Sequence, residues 1–402
     1  MTERLYYRDS MLREFDAGVV SCAPAPAGAG TGPRTFEVVL DRTAFYPTSG
    51  GQPFDTGSLG GARVVDVIDR DDHEIAHIVE HAIDPGTRVH AAIDWPRRFD
   101  HMQQHTGQHV LSAAFDRLFN LRTVSFHLGA ETATIDLARE VTAREVAEAE
   151  AAANEVVWEN REIFVRFVSG AEAQTLPLRK DPARTGELRV VEVAGFDLSA
   201  CGGTHVPSAG MIGVIAVAAT ERFKGATRLT FVCGGRALRS HGRLRDVVTR
   251  ATRVLSVLPE EIPDGIERLQ AELKDAGRAA KKTQEELAGF RAAGFRAGAA
   301  TIGPWCGVLS AQPGCDAGAL KTLASAIVSE PGYVVVLTGD GKPVPVVAAR
   351  SADVAFDAGA WIKEAATALG GRGGGRPELA QGGMDATPEQ VLDFARRTLT
   401  DR

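Results

Sequence analysis

Cysteine is scarce in this 402-residue chain: Cys22, Cys201, Cys233, Cys306 and Cys315 are scattered without regular spacing. That excludes a disulfide scaffold and points to a reducing compartment, so a cytoplasmic location is expected. No apolar stretch approaches the roughly 18 uncharged residues of a membrane span. The opening residues, Met1 to Phe15, are charged throughout and do not read as a signal peptide. Aromatics are few, at 6%. Positive charge is not in excess either. Lys+Arg total 45 against 52 Asp+Glu, a formal net charge of -7, which argues against coating nucleic acid by bulk charge. What is plentiful is glycine, with 43 residues, so turns and glycine-built loops are expected. Hydrophobic residues at 44% and charged residues at 24% are those of a globular protein. At about 100–200 residues per domain, the length implies two to four domains.

The pattern along the chain predicts an α+β multidomain protein. Residues 1–96 carry β-branched runs at Thr35–Leu40 and Arg63–Ile68, separated by a loop holding Pro24, Pro26, Gly28, Gly30 and Gly32. They predict a small β-barrel. Residues 97–240 mix helices and strands. An amphipathic helix follows the histidines at Val110–Leu118, and Thr142 with Glu145 forms a capping-box pattern before a helix to Trp158. Strands are expected at Ile163–Val168, Leu188–Val193, Gly213–Ala218 and Arg228–Val232. Residues 241–297 form a charged helical linker. Ile266, Leu269, Leu273, Ala276, Ala280, Leu287 and Phe290 keep a heptad-like spacing that suits packing within the chain or a coiled coil between chains. Residues 298–402 predict a small α/β domain whose outstanding feature is the glycine run Gly370–Pro377.

Two clusters carry chemistry. His101, His105 and His109 are four residues apart, and side chains at i and i+4 share one helical face. Two imidazoles so placed converge on one metal ion. The second cluster is Cys201-Gly202-Gly203-Thr204-His205, where a Gly-Gly turn lets a thiolate and an imidazole face one point. His105, His109, Cys201 and His205 together make three nitrogen donors and one sulfur. That set favours Zn2+ over magnesium or calcium, which prefer oxygen. No glutamate lies inside the histidine pair, so the usual general base of zinc proteases is missing. Zinc as activator of water and zinc as organiser of the site both remain open.

Five segments, in order, resemble the editing domain of alanyl-tRNA synthetase and its free-standing relatives, the long AlaX-type alanyl-tRNA editing proteins. They are Thr43–Gly57, with its Gly50-Gly51-Gln52 loop; His105–His109; Ser125–His127 with Thr134–Leu137; Gly195–Val206; and Gly373–Gly383, similar to the glycine-rich signature of the DHH-associated domain. The resemblance implies four parts: a translation-factor-like barrel, a zinc-dependent editing domain, a helical linker and a C-terminal DHH-associated domain. It implies hydrolysis of the ester joining serine or glycine to the wrong tRNA, that for alanine. Only 42 residues precede Thr43, so no alanine-activating domain is expected there. The acidic DHH motif of related phosphoesterases is also absent.

Editing has a physical rationale. A pocket for a small side chain rejects an added hydroxyl only about a hundredfold, whereas a site that hydrogen-bonds the hydroxyl discriminates by about 10⁴. Thr106 and Thr204 are candidates for that bond. Ser125, Phe126 and the Gly50-Gly51-Gln52 loop are implicated in the amino-acid pocket by the resemblance; Phe126 departs from the polar residue often found there. For tRNA, residues 221–253 hold nine basic residues against Glu221 and Asp246, a local charge of +7. Arg222, Lys224, Arg236, Arg239 and Arg243 of that stretch, with Arg372 and Arg376 among the glycines, are the expected phosphate contacts. A homodimer through the linker or the C-terminal domain is a further expectation. The rival readings are a hydrolase of another aminoacyl ester and a non-catalytic tRNA-binding module with structural zinc.

Overall fold

A computed structural model describes residues 1–25, 35–70, 73–179 and 186–400. The expected loop glycines Gly28, Gly30 and Gly32, with Pro26, lie outside these residues. The chain divides into two compact units, Met1–Arg250 and Ala251–Arg402.

In the first unit six antiparallel strands close into a barrel. Their order is Glu14–Pro24, Phe36–Leu40, Ile75–Val79, Ala62–Asp69, Gly57–Leu59 and Arg88–Ile93. Alternation sends Val38, Leu59, Val64, Ile75 and Val79 into a dry core around Phe45. Closure needs glycine at 57, where a Cβ would fall 2.2 Å from the Ala92 carbonyl oxygen.

The barrel runs directly into helix α1, Trp95–Phe119. Asp94 caps it, accepting from the Arg97 backbone N–H, and Asn120 ends it in the left-handed region. The sequence places the histidines on a helical face and predicts an amphipathic stretch after them, with a polar side left to solvent. The histidines sit mid-helix, but α1 is buried on every side from His101 to Phe115. Hydrogen bonds permit this burial of polar groups. Gln104 donates to the Cys233 carbonyl and accepts from its N–H, while Gln103 donates to the Met211 carbonyl. Helix α2, Ala143–Trp158, starts at Thr142 with the expected capping box. Two sheets complete this unit. One orders Ile215–Phe223, Ala226–Cys233, Ala133–Leu137 and Thr123–Leu128; the other orders Ile163–Val168, Leu188–Val193 and Asp197–Ala200.

In the second unit the Ile262–Ala297 helix accompanies a six-stranded mixed sheet. Among the described residues nothing covers the middle of the heptad-like seam: Leu273 is 76% and Phe290 83% exposed. The ends of the helix pack, with Ala288 and Ala292 against Leu320 and Leu323 and with Gly265 buried beside Leu255 and Val257. The glycine run is a strand rather than a loop. Gly371–Gly375 forms the sheet edge, paired antiparallel with Leu379–Met384. At Gly371, Gly373 and Gly375 a Cβ would meet neighbours at 2.1, 2.6 and 2.5 Å, whereas Gly374 faces open space. The glycines therefore let this edge strand lie flush against its surroundings.

Candidate metal centre

The 3.6-residue helical period stacks His105 and His109 on one face of α1, ring centroids 5.4 Å apart. Opposite them the Asp197–Ala200 strand ends, and the Cys201–Gly203 turn swings His205 back. Its ring lies 4.6 Å from His105 and 4.8 Å from His109. The donor atoms of His105, His109, Cys201 and His205 all fall within 4.8 Å of one another. Cys201 Sγ is 3.4 Å from His105 Nε2 and 3.3 Å from His205 Nε2. A tetrahedral zinc with bonds of about 2.05 Å to nitrogen and 2.3 Å to sulfur has N–S edges near 3.5 Å, so the donor set fits that ion. His101, one turn earlier, is outside the cluster; burial pushes its pKa down to about 3.

Each histidine presents Nε2 to this centre because its Nδ1 is occupied. His105 Nδ1 donates to Gln52 Oε1 at 2.8 Å, His109 Nδ1 to Asp197 Oδ2 at 2.9 Å, and His205 Nδ1 to Thr106 Oγ1 at 3.2 Å. Such outer partners fix the ring and its tautomer. Burial lowers the pKa of His109, but hydrogen bonding and charge from Asp197 and Cys201 together outweigh it and raise the group to about 9. Asp197 is itself desolvated, which raises its pKa, yet His109 and Arg179 hold it below the usual carboxylate range. Burial takes His205 down to about 3. Burial would raise the Cys201 thiol, but the neighbouring His105 and His205 bring it well below the ordinary value.

Two predictions follow from this geometry. Replacing Asp197 with Asn should weaken zinc affinity about 10–100-fold; competition against a chromophoric chelator measures it, and unchanged affinity would remove Asp197 from the role. The turn glycines should behave differently from each other. A Cβ at Gly203 would lie 2.1 Å from His105 Cε1, whereas at Gly202 the nearest atom is the Tyr7 hydroxyl at 3.7 Å. Gly203→Ala should therefore displace His105 and cost most of the zinc content, while Gly202→Ala keeps it. Equal zinc content in the two purified variants would contradict the packing argument.

A cavity of about 390 Å³ opens on the cluster. Gly50, Ser125 and Phe126 line it as expected. The Phe126 ring lies 5.3 Å from that of His105, tilted by 33°. Gly51 sits behind Phe126, where a Cβ would be 2.7 Å from the Phe126 carbonyl oxygen. Gln52, Thr106 and Thr204 are fully buried and do not line the cavity. Thr106 Oγ1 accepts from His205 and from the Val206 N–H; Thr204 Oγ1 accepts from Gln52 Nε2. Both hydroxyls are thus committed to holding the site together, which corrects their expected role in reading a substrate hydroxyl. Sequence reasoning also missed Gln108, Thr123 and Arg179 on the wall. Gln108 lies between the two ligand histidines, a position that carries its own signal. Arg179 is joined to the site only by the fold.

The basic residues separate. Arg236 is only 3% exposed, ion-paired with Asp100 at 2.7 Å and donating to the Gly129 carbonyl. It is internal scaffolding, not an RNA contact. Arg222, Lys224, Arg239 and Arg243 are on the surface of the first unit, with Arg222 also paired to Glu140 at 2.8 Å. Arg372 and Arg376 are exposed in the second unit.

With the site described, its relatives can be compared. The sequence matches the family described as threonyl and alanyl tRNA synthetase second additional domain over residues 188–230. It also matches tRNA synthetases class II (A) over residues 25–97 and the DHHA1 domain over residues 305–402. It is 34% identical to the alanine–tRNA ligase of Pyrococcus furiosus, over 95% of this chain and 42% of the ligase. The chain thus spans about two fifths of the ligases it matches. It is 32% identical to the alanyl-tRNA editing protein Aarsd1 of Mus musculus, over 94% of this chain and 93% of that protein. The similarity to the alanyl-tRNA editing protein AlaX-L of Pyrococcus horikoshii is 30% over 99% of this chain and 98% of that one. Aligned end to end with proteins of this kind, the chain belongs to the AlaX-type family of alanyl-tRNA editing proteins.

Proposed function

We propose that the protein is a zinc-dependent trans-editing hydrolase that frees alanine tRNA from a wrong amino acid, serine first and glycine second, by hydrolysing the aminoacyl ester. The observation that carries this reading is the convergence of three histidines and one cysteine beside a cavity of about 390 Å³ that His105, His109 and Cys201 line. His105, His109, Cys201 and His205 would hold the ion. When bound by all four, zinc would organise the site and hold the aminoacyl end of the substrate; Lewis acidity toward the ester would require one of the four ligands to give way. The chain's own residues do the remaining work. Phe126, against His105, narrows the cavity toward small side chains. Gln108, its Nε2 fixed by Ser112 Oγ at 2.8 Å, offers the wall amide that pairs with a serine hydroxyl. Ser125 donates to Asp136 and shapes the same wall.

For tRNA, the exposed Arg222, Lys224, Arg239, Arg243, Arg372 and Arg376 would track phosphates and make binding salt-sensitive. The exposed seam of the Ile262–Ala297 helix is the surface on which a homodimer would form. The site of action is the cytoplasm. The test is a panel of alanine tRNA charged with serine, glycine or alanine, incubated with and without chelator. Rapid, metal-dependent loss of serine with alanine spared supports the reading. Intact binding with no deacylation of any charged tRNA overturns it and leaves a non-catalytic tRNA-binding module.

A further inference from the structure

The Cys-Gly-Gly-Thr-His turn is a weak way to aim a thiolate. Two consecutive glycines give the backbone wide freedom, and Cys201 would wander without an external restraint. That restraint comes from a buried arginine with no acidic partner among the described residues. Arg189 lies in the Leu188–Val193 strand and is 7% exposed. Its Nη1 donates to the Cys201 carbonyl at 2.7 Å and to the Gly203 carbonyl at 2.9 Å, bridging the two ends of the turn. Its Nε donates to the Tyr7 carbonyl at 3.0 Å, and its own carbonyl accepts from the Cys201 N–H at 3.1 Å. Nη2 is buried without a hydrogen-bond partner among the described residues. A buried guanidinium answered by carbonyls and by the Tyr7 ring, 5.5 Å from its carbon, but by no carboxylate among the described residues, is costly, which makes its placement under this turn informative.

The geometry points to Arg189 as a positioning residue that clamps the Cys201–Gly203 turn, so that the sulfur faces His105 and His205 before any ion arrives. This rests on the metal-centre reading and extends it to a group that touches neither ion nor substrate. The rigid fork of a guanidinium spans three acceptors; a lysine ammonium on a flexible stem matches the charge but not the geometry. The clamp therefore depends on shape more than on charge.

The test is zinc affinity of the full chain, by competition with a chromophoric chelator, for Arg189→Met, Arg189→Lys and a control, Arg4→Met. Arg4 belongs to the same N-terminal segment as Tyr7, pairs with Asp69 at 2.6 Å and donates to the Tyr7 hydroxyl at 3.2 Å, but makes no hydrogen bond to the Cys201–Gly203 turn among the described residues. Arg189→Met should weaken zinc affinity by about 10–100-fold, the range for outer partners of a metal site. Arg189→Lys should recover only part of this, and Arg4→Met should match wild type. The absorption spectrum of the cobalt(II)-loaded protein gives a second readout. A shifted envelope in Arg189→Lys reports altered tetrahedral geometry, which a role in global stability alone would not produce. Wild-type affinity and an unchanged cobalt spectrum in Arg189→Lys would overturn the clamp even if Arg189→Met fails to fold. A wild-type protein that takes up no zinc would overturn the centre itself; one that takes up zinc but deacylates nothing would overturn only the proposed activity.

Discussion

Cys201→Ala is expected to empty the metal centre and to lower deacylation of mischarged tRNA by more than about 100-fold. The magnitude follows from comparison, since loss of even an outer partner costs 10–100-fold. Cys201 is the one sulfur and the one anionic donor of the four. Its removal leaves three imidazoles whose Nδ1 atoms are already committed to Gln52, Asp197 and Thr106. Neutral nitrogen donors alone hold zinc less firmly and lose the charge match to a dication. Elemental analysis after gel filtration should give about one zinc per wild-type chain and close to none for the variant. Cys306→Ser, at an exposed cysteine, serves as control and should retain zinc. Full zinc content in Cys201→Ala would refute the site.

Arg98→Met should destabilise the first unit by about 3–5 kcal/mol, the range for leaving a buried charge uncompensated. Arg98 and Asp55 are both 0% exposed. Arg98 Nε donates to Asp55 Oδ1 at 3.0 Å, and Nη1 to the Ser10 carbonyl at 3.0 Å; Nη2 reaches Asp55 and the Ala44 carbonyl. Asp55 also accepts from the Tyr46 N–H at 2.6 Å. One arginine at the start of α1 thus ties the helix to two barrel loops. Replacing both partners, Arg98→Met with Asp55→Leu, should recover part of the loss. Recovery stays incomplete because the Tyr46 N–H is then buried without an acceptor. Chemical denaturation read at the midpoint tests both variants. A cost under about 1 kcal/mol for the single variant would mean that water reaches Asp55 and screens it.

The four candidate metal ligands were legible because two short spacings encode them. One helical turn separates His105 from His109, and a Gly-Gly turn separates Cys201 from His205. The residues that make those ligands work were not legible. Gln52 meets His105 from 53 residues away, and Asp197 meets His109 from 88. Arg189 reaches the Tyr7 carbonyl across 182. No local pattern marks such pairs, since only the fold brings them together. Proximity in sequence also misled. Thr106 and Thr204 adjoin ligands and so looked like substrate contacts, yet the backbone turns both hydroxyls inward. Charge counting could not separate Arg236, consumed by Asp100, from exposed Arg243. Glycine composition suggests a loop at 370–375 and does not reveal a strand, because pairing with Leu379–Met384 is a long-range property of the sheet.

The burial of α1 has a consequence for synthesis. The partners of Gln103 and Gln104 are the carbonyls of Met211 and Cys233, more than a hundred residues downstream. At about 5–20 residues per second, the 92 residues from His109 to Cys201 take roughly 5–20 s to emerge. Throughout that interval the nascent chain holds a helix whose polar groups have nowhere dry to go, and two imidazoles without their thiolate. The barrel can close behind it, but α1 must stay hydrated until Cys233 has left the ribosome. A chain interrupted between residues 109 and 233 would carry the histidine pair and still be unable to bury the helix that displays it.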